Sequence, residues 1–172
     1  MEQPRLLQLP FFSDLRGSFF KPFSADAWES QLGSSFRPKE VFFSTSHRNV
    51  LRGFHFQKPP ADHGKIVFSL RGRFLDITLD LRQSGRLGAI EAIDLSAGSG
   101  HALYIPRGFA HAFLSLEDDT CIGYLVDSVY SPELDSGIHW SSINFELPTD
   151  TPIVSARDES FLPFSDFKTP FI

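Results

Sequence analysis

The chain has 172 residues, enough for one well-buried core, so a single domain over residues 1–172 is expected. A hydrophobic content of 41% with 22% charged residues is typical of a soluble globular protein. The single cysteine, Cys121, excludes an internal disulfide and a cysteine-rich metal site, which fits a reducing cytoplasm. The net charge of −5 disfavours nucleic acid as a partner. No apolar run approaches the roughly 20 residues of a membrane span and no charged-then-apolar leader opens the chain, so a cytoplasmic protein is expected.

One helix is predicted early in the chain, and strands are predicted after it. Ser24 suits the N-cap of a helix over residues 25–32, and Gly33 suits its end. Eight short segments separated by turn signals are then predicted to be strands: 41–43, 50–56, 66–70, 74–81, 89–95, 102–105, 109–116 and 121–126. Many short strands at regular spacing are typical of a sandwich or barrel. The tail after Trp140 is expected to be irregular, with short turns. Together, the eight strands and the single helix predict an all-β domain with a minor helical part.

Two histidines, a lysine and a tyrosine lie on predicted strands whose other residues are mostly apolar. Alternation places His55 and Gln57 on one face of their strand, and His111, Lys65 and Tyr124 come from three further strands. If these faces line one barrel mouth, a base, a cation and a phenol converge on a partly apolar cavity, which shifts pKa values. Each residue alone is also consistent with an ordinary core or strand-edge position. Their co-occurrence favours a site that moves a proton on a carbonyl substrate.

A second pattern bears on metal binding. Gly100, Pro106, Gly108 and His111 fit the spacing G-x5-P-x-G-x2-H, the second of two cupin motifs. The first motif requires His-x-His followed by a glutamate, whereas this chain has His55-Phe56-Gln57. One imidazole from each strand makes a poor site for zinc or iron, which usually take three protein ligands. The sequence therefore predicts the barrel without a metal.

Two arginines are candidates for binding a diphosphate. Arg16 lies in the turn-like segment 14–17, and Arg52 precedes His55 by three residues. One guanidinium group can donate hydrogen bonds to two phosphate oxygens at once, so both arginines are suited to binding a diphosphate. A surface arginine paired with a nearby carboxylate explains them equally well from sequence alone.

The combined motifs resemble those of the dTDP-4-dehydrorhamnose 3,5-epimerase family, small jelly-roll cupin enzymes of nucleotide-sugar biosynthesis. The resemblance runs from about Asp14 to Asp158, nearly the full chain. It is carried by these blocks: Asp-x-Arg-Gly at 14–17, Val-Leu-Arg-Gly-Phe-His-Phe-Gln at 50–57, Gly-Lys at 64–65, Ile-Pro-Arg-Gly-Phe-Ala-His-Ala-Phe at 105–113, Tyr124, Tyr-Ser-Pro at 130–132, Gly-Ile-His-Trp at 137–140 and Ser-x-x-Asp at 155–158.

The resemblance implies a metal-free and cofactor-free acid–base epimerase, usually a homodimer, that acts on a nucleoside-diphosphate 4-keto sugar. His55 matches the family's catalytic base, and Asp158 matches the carboxylate that orients it. Lys65 matches the cation that stabilises the enolate, and Tyr124 matches the acid on the opposite face of the sugar. His111 matches a second histidine of the pocket.

The resemblance also implies a set of substrate-binding residues. Arg16 and Arg52 match residues that hold the diphosphate, with Arg16 reaching across the dimer. Tyr130 falls where an aromatic side chain lines the nucleoside site. Phe19 and Gln57 complete the expected substrate-binding set.

The sequence departs from the family pattern near the expected nucleotide site. The family commonly has Phe-x-Glu where this chain has Phe19-Phe20-Lys21, and Gln-x-Asn where it has Glu40-Val41-Phe42. Because the catalytic set is intact, these changes point to a different nucleotide, such as GDP or CDP, rather than to a different reaction.

Three alternatives to a 3,5-epimerase are open at this stage. A C3-only epimerase would use the same residues with a different ring pose. A 3,4-ketoisomerase is disfavoured because such relatives usually carry paired histidines where this chain has residues 55–57. A non-catalytic sugar-nucleotide-binding cupin is disfavoured by the retention of His55, Lys65, Tyr124 and Asp158 together.

Overall fold

Two five-stranded antiparallel sheets and a separate hairpin dominate the computed structural model, which describes residues 2–172. The strands are β1 (Arg5–Gln8), β2 (Phe11–Asp14), β3 (Gly17–Phe20), β4 (Glu40–Ser46), β5 (Leu51–Gln57), β6 (Lys65–Arg71), β7 (Arg73–Asp80), β8 (Ile90–Ser96), β9 (His101–Ile105), β10 (Phe109–Ser115), β11 (Thr120–Val126) and β12 (Asp135–Gly137). The first sheet has the order β1-β9-β6-β11-β4 and the second has β12-β5-β10-β7-β8, while β2 and β3 pair only with each other.

The helical part is small. Helix α1 (Ala25–Leu32) precedes β4, helix α2 (Ala156–Glu159) follows β12, and 3-10 turns cover Trp140–Ser142 and Phe164–Asp166. Within residues 2–172, no helix combines the length and the apolar character needed to cross a membrane. The predicted all-β domain with a minor helical part is confirmed.

The early helix and the eight strand segments occur where the sequence predicts them. Helix α1 spans the predicted residues, and Gly33 ends it in the left-handed conformation, with φ 75° and its N–H donating to the Glu29 carbonyl. Ser24 precedes the helix, but its hydroxyl makes no capping hydrogen bond. The eight segments correspond to β4 through β11.

Apolar side chains form three layers, one between the sheets and one outside each of them. The layer between the sheets draws on both and contains Val67, Phe74, Leu95, Leu103, Ile105, Phe109, Phe113, Ile122 and Tyr124. Outside the first sheet, α1 packs through Trp28, which is 1% exposed. Outside the second sheet, the C-terminal tail contributes Ile138, Ile143 and Phe171. The central strands of both sheets are therefore buried on both faces, and polar side chains of these strands that point between the sheets are enclosed.

Strand β5 approaches β10 closely at Gly53. Gly53 has φ 128°, and a Cβ built there would lie 2.5 Å from the Cα of Ala112. The register between β5 and β10 also shifts beside this point, between His111 and Phe113. Only glycine combines this φ with this contact without strain.

Replacing Gly53 with alanine tests this close approach. We expect Gly53→Ala to lower the free energy of unfolding by about 1–3 kcal/mol more than Gly17→Ala, since overpacking adds to the cost of a positive φ. Gly17 is the matched control because it has φ 121° but no heavy atom within 4 Å of a built Cβ. Denaturant unfolding of both variants measures the difference. Equal losses in the two would contradict the packing explanation.

Candidate active site

A cavity of about 400 Å³ lies between the sheets and is walled by both of them. It brings together seven of the ten site residues predicted from the sequence: Arg52, His55, Gln57, Lys65, His111, Tyr124 and Tyr130. His55 and His111 come from the second sheet, whereas Lys65 and Tyr124 come from the first. The imidazoles and the phenol therefore stand on opposite walls.

His55 and Asp158 form a hydrogen-bonded pair at one wall. His55 Nε2 lies 2.7 Å from Asp158 Oδ1, and the Gly53 N–H donates to Asp158 Oδ2 at 3.1 Å. Burial acts to raise the pKa of Asp158, but the hydrogen bond and charge of His55 and the Gly53 N–H outweigh it, so the pKa is lowered. An ionised Asp158 accepts from the Nε2–H of His55, which leaves Nδ1 as the basic nitrogen of the neutral ring.

Asp158 reaches this position from the short helix α2. The Asp158 N–H donates to the Ser155 hydroxyl at 3.1 Å, which caps the helix at its start. The Asp158 side chain is only 4% exposed, so water does not compete for its oxygens. The Ser-x-x-Asp block of the sequence is thus a cap that fixes the carboxylate against β5.

Lys65 begins β6 and lines the cavity. Burial lowers the pKa of its ammonium group to about 8, and the opposing charges of Asp135 and Asp76 limit the shift. The ammonium group therefore loses its proton at a lower pH than an ordinary lysine does. The charge of Lys65 therefore changes within a pH range in which the protein can be assayed.

Tyr124 is held by two residues of the edge strand β4. Its hydroxyl lies 3.3 Å from Ser44 Oγ, and its ring stacks on Phe42 with centroids 4.7 Å apart and planes 15° apart. Burial raises the pKa of the phenol, and the Ser44 hydrogen bond opposes this only in part. The phenol keeps its proton at neutral pH and can donate it.

A second histidine–carboxylate pair lies beside Tyr124. His111 Nε2 is 2.8 Å from Asp76 Oδ2, and the His111 and Tyr124 ring centroids are 6.2 Å apart. Burial lowers the pKa of His111, although Asp76 opposes this by its charge and hydrogen bond. In the register of β10 and β5, His111 faces His55 directly.

Two further predicted residues, Arg52 and Tyr130, are held at the cavity by polar contacts. Arg52 donates to Ser46 Oγ at 3.1 Å and to the Thr45 carbonyl at 3.3 Å. The Tyr130 N–H donates to Glu40 Oε1 at 3.1 Å. These contacts hold a guanidinium group and an exposed aromatic ring at the cavity.

Arg16 and Phe19 lie away from this cavity within one chain. Both belong to the β2–β3 hairpin, where they line a separate shallow depression. Arg16 is 89% exposed and pairs with Asp14 at 2.5 Å. Within one chain, neither residue lines the cavity that the predicted catalytic residues share.

Several cavity groups were not identified from the sequence. Ser44, His63, Asp135 and Arg157 line the cavity, and Asp76 is the partner of His111. Asp76 alternates with apolar residues on β7, which would suit a solvent-facing side chain, yet it is fully buried. Strand pairing could have indicated it, because β7 and β10 are adjacent antiparallel strands. Within residues 2–172, no group of three or more His, Cys, Asp or Glu side chains is placed to hold a metal ion.

Solved structures of sugar epimerases match this fold closely. A 4-keto-6-deoxy sugar epimerase of the novobiocin biosynthetic gene cluster of Streptomyces spheroides superimposes with a TM-score of 0.91 at 29% identity, covering 96% of this chain and 84% of its own. An epimerase from Legionella pneumophila, solved in complex with dTDP-4-keto-L-rhamnose, gives 0.91 at 27% identity, with 98% and 91% covered. The protein has the fold of the cupin-type sugar epimerases, a class of isomerase, and the jelly-roll prediction is confirmed.

Sequence comparison gives the family. The sequence model of the dTDP-4-dehydrorhamnose 3,5-epimerase family matches residues 1–166. The enzyme of that name from Shigella flexneri is 35% identical over 158 residues, which are 90% of this chain and 87% of the relative. A dTDP-4-dehydrorhamnose 3-epimerase from Streptomyces niveus is 32% identical over 87% of this chain and 74% of its own. The chain belongs to the dTDP-4-dehydrorhamnose 3,5-epimerase family, as the sequence motifs predict.

Proposed function

We propose that the protein inverts C3, and also C5, of a 4-keto-6-deoxy-hexose carried on a nucleoside diphosphate. The observation that supports this most directly is the placement of His55 and Tyr124 on opposite walls of one cavity that also holds Lys65. Inversion requires a proton to leave one face of the sugar and return on the other, so it needs two groups facing each other across the ring.

The first step is removal of the hydrogen on C3 by His55. Asp158 holds the His55 ring in the tautomer that carries its proton on Nε2, so Nδ1 accepts the proton from C3. The Asp158 carboxylate then stabilises the imidazolium that forms. A positioned base of this kind raises the reaction rate by a factor of roughly 10²–10⁴. The electron pair left on C3 moves onto the C4 carbonyl oxygen.

The Lys65 ammonium stabilises the resulting enolate. A buried cation aimed at a developing oxyanion acts in a medium of low dielectric, and the loss of a comparable donor costs about 3–4 kcal/mol. Tyr124 then donates its proton to C3 from the opposite wall. Because burial raises the pKa of Tyr124, the phenol is protonated when the step requires it.

The diphosphate is assigned to Arg52 from the same chain and Arg16 from a second copy in a homodimer. Two features support the dimer. Arg16 lies on a hairpin whose strands pair with neither main sheet, and the edge strand β4 exposes Val41 and Phe43 by more than half. An exposed apolar edge strand is suited to pairing with another chain.

The named relatives support two points about the substrate. Their names refer to dTDP sugars, which makes thymidine diphosphate the first nucleotide to test. They also include C3-only epimerases from Streptomyces, so inversion at C3 alone is the second candidate activity. The residues assigned here serve both.

Proton exchange with heavy water tests the base and the cation. We expect a 4-keto-6-deoxy-glucose nucleotide to lose its C3 hydrogen signal, and its C5 signal in a 3,5-epimerase, when followed by NMR. His55→Ala or Lys65→Ala should slow C3 exchange by a factor of about 10² or more without unfolding the protein. Lys58→Ala, an exposed lysine outside the cavity, is the control. Undiminished exchange in both site variants would reject the assigned roles.

The pH dependence of kcat/KM tests the charge on Lys65. Since its pKa is about 8, the ammonium form declines above that pH, and kcat/KM should fall by about tenfold per unit on the alkaline side. Lys65→Arg should be slower but lack this decline near pH 8, because a guanidinium group stays protonated. An unchanged alkaline limb in Lys65→Arg would assign the titration to another group.

Calorimetry with the four common nucleoside diphosphates tests nucleotide selectivity. Glu40 and Phe42 line the cavity in place of the amides common in the family, so we expect thymidine diphosphate to bind more weakly than another nucleotide. Glu40→Gln should tighten its binding about fivefold, since it removes ~1 kcal/mol of charge repulsion while retaining an acceptor for the Tyr130 N–H. Glu29→Gln, at an exposed position of α1, is the control. Strong thymidine preference in the unmodified protein would refute the altered selectivity.

A further inference from the structure

Phe161 lies in the segment that follows helix α2, and no step of the proposed reaction uses it. Its ring packs against the His55 imidazole, with ring centroids 5.7 Å apart and planes 77° apart. Asp158, on α2, bonds the same imidazole at 2.7 Å. One short stretch of chain, residues 158–161, therefore supplies both a hydrogen bond and a ring contact to the base.

Gly137 leaves free the space that the Phe161 ring occupies. In the pairing of β12 with β5, Gly137 is the direct partner of His55. Directly paired residues place their side chains on the same face of a sheet, so a side chain at position 137 would stand beside the imidazole. A Cβ built on Gly137 would lie 2.5 Å from Cδ2 and Cζ of Phe161. The aromatic ring fills the place of the missing side chain.

The contact with Phe161 restricts the His55 ring in a way that Asp158 alone does not. The torsion that turns an imidazole about its Cβ–Cγ bond has broad minima, so the ring can turn at little cost. On the β10 side the imidazole faces His111, its partner in the strand register. On the β12 side it meets Phe161, so that neighbours flank it on both sides.

Phe161 is itself held from two directions. The His139 N–H donates to the carbonyl of Leu162 at 2.9 Å, which ties the backbone beside Phe161 to the segment after β12. The guanidinium carbon of Arg157 lies 5.2 Å from the centre of the Phe161 ring, and Arg157 donates to Asp135 at 2.5 Å. An aromatic ring held in this manner keeps its place beside the imidazole.

We propose that Phe161 is a positioning residue for the base: its ring fills the place beside the imidazole that Gly137 leaves free and keeps His55 bonded to Asp158. Without the ring, the empty space over Gly137 would let the imidazole turn away from the carboxylate, because a cavity of that size allows its neighbours to shift. This inference rests on the proposed function, since the orientation matters to catalysis only if His55 takes a proton.

Two substitutions remove the ring contact in different ways. Phe161→Ala deletes the ring, whereas Gly137→Ala retains it but displaces it from the imidazole. In both variants we expect kcat for exchange of the C3 hydrogen to fall about 3–10-fold and KM to change by less than about twofold, because a misaligned base raises the energy of the reacting state alone. Leu162→Ala is the matched control, since Leu162 is the next residue and is 67% exposed.

NMR of the His55 ring without substrate separates positioning from a general loss of stability. We expect the Nε2 proton of His55 to exchange with water about tenfold faster in Phe161→Ala and Gly137→Ala than in the unmodified protein, while denaturant unfolding shows that both variants are folded at the assay temperature. An unchanged rate for this proton in both variants would overturn the inference. A rise in KM at constant kcat would also overturn it, because Phe161 would then act by contacting substrate.

Phe161→Leu separates the contact with His55 from the contact with Arg157. Leucine keeps apolar bulk beside the imidazole but offers no aromatic face to the guanidinium group. We expect Phe161→Leu to keep kcat within about threefold of the unmodified protein. A leucine variant as impaired as Phe161→Ala in both kcat and the exchange of the Nε2 proton would trace the effect to Arg157 and overturn the inference.

The heavy-water experiment separates this inference from the function beneath it. If the unmodified protein does not exchange the C3 hydrogen of the substrate, the proposed function and the role of Phe161 fall together. If that exchange proceeds and Phe161→Ala matches the unmodified protein in kcat, the role of Phe161 alone falls.

Discussion

The geometry of the site depends on the contacts that the Asp158 carboxylate makes with His55 and Gly53. One oxygen binds the His55 ring and the other accepts the backbone N–H of Gly53, so the same group orients the base and fixes its strand. The close approach of β5 to β10 at Gly53 leaves no room for a side chain there. A change in this contact would alter the tautomer of His55 and the shape of the cavity wall together.

Burial has opposite effects on the two proton-carrying groups of the facing wall. It destabilises the charged form in each case, which lowers the pKa of Lys65 and raises that of Tyr124. The phenol thereby remains a proton donor throughout the neutral range, whereas the ammonium group is close to losing its charge at mildly alkaline pH. One apolar enclosure thus makes Tyr124 insensitive to pH and Lys65 sensitive to it.

Short apolar segments separated by turn residues were enough to predict the strands β4 to β11, and period-two alternation grouped His55 with Gln57. It did not reveal β1, β2, β3 or β12, because these strands are short and mostly not buried, so they carry little apolar periodicity. Asp76 could not be identified from the sequence as the partner of His111, because a local residue pattern does not show which strands are adjacent in a sheet. Strands β2 and β3 pair only with each other, so no strand pairing within the chain relates Arg16 to the cavity.

The pairing of Gly53 with Asp158 spans 105 residues of chain, and α2 follows every strand in sequence. During synthesis on the ribosome, β5 leaves the exit tunnel long before the carboxylate that completes its histidine. A nascent chain therefore has both sheets available before it has an oriented base. Competence for proton transfer therefore requires α2 to dock on β5 after the strands of both sheets have been made.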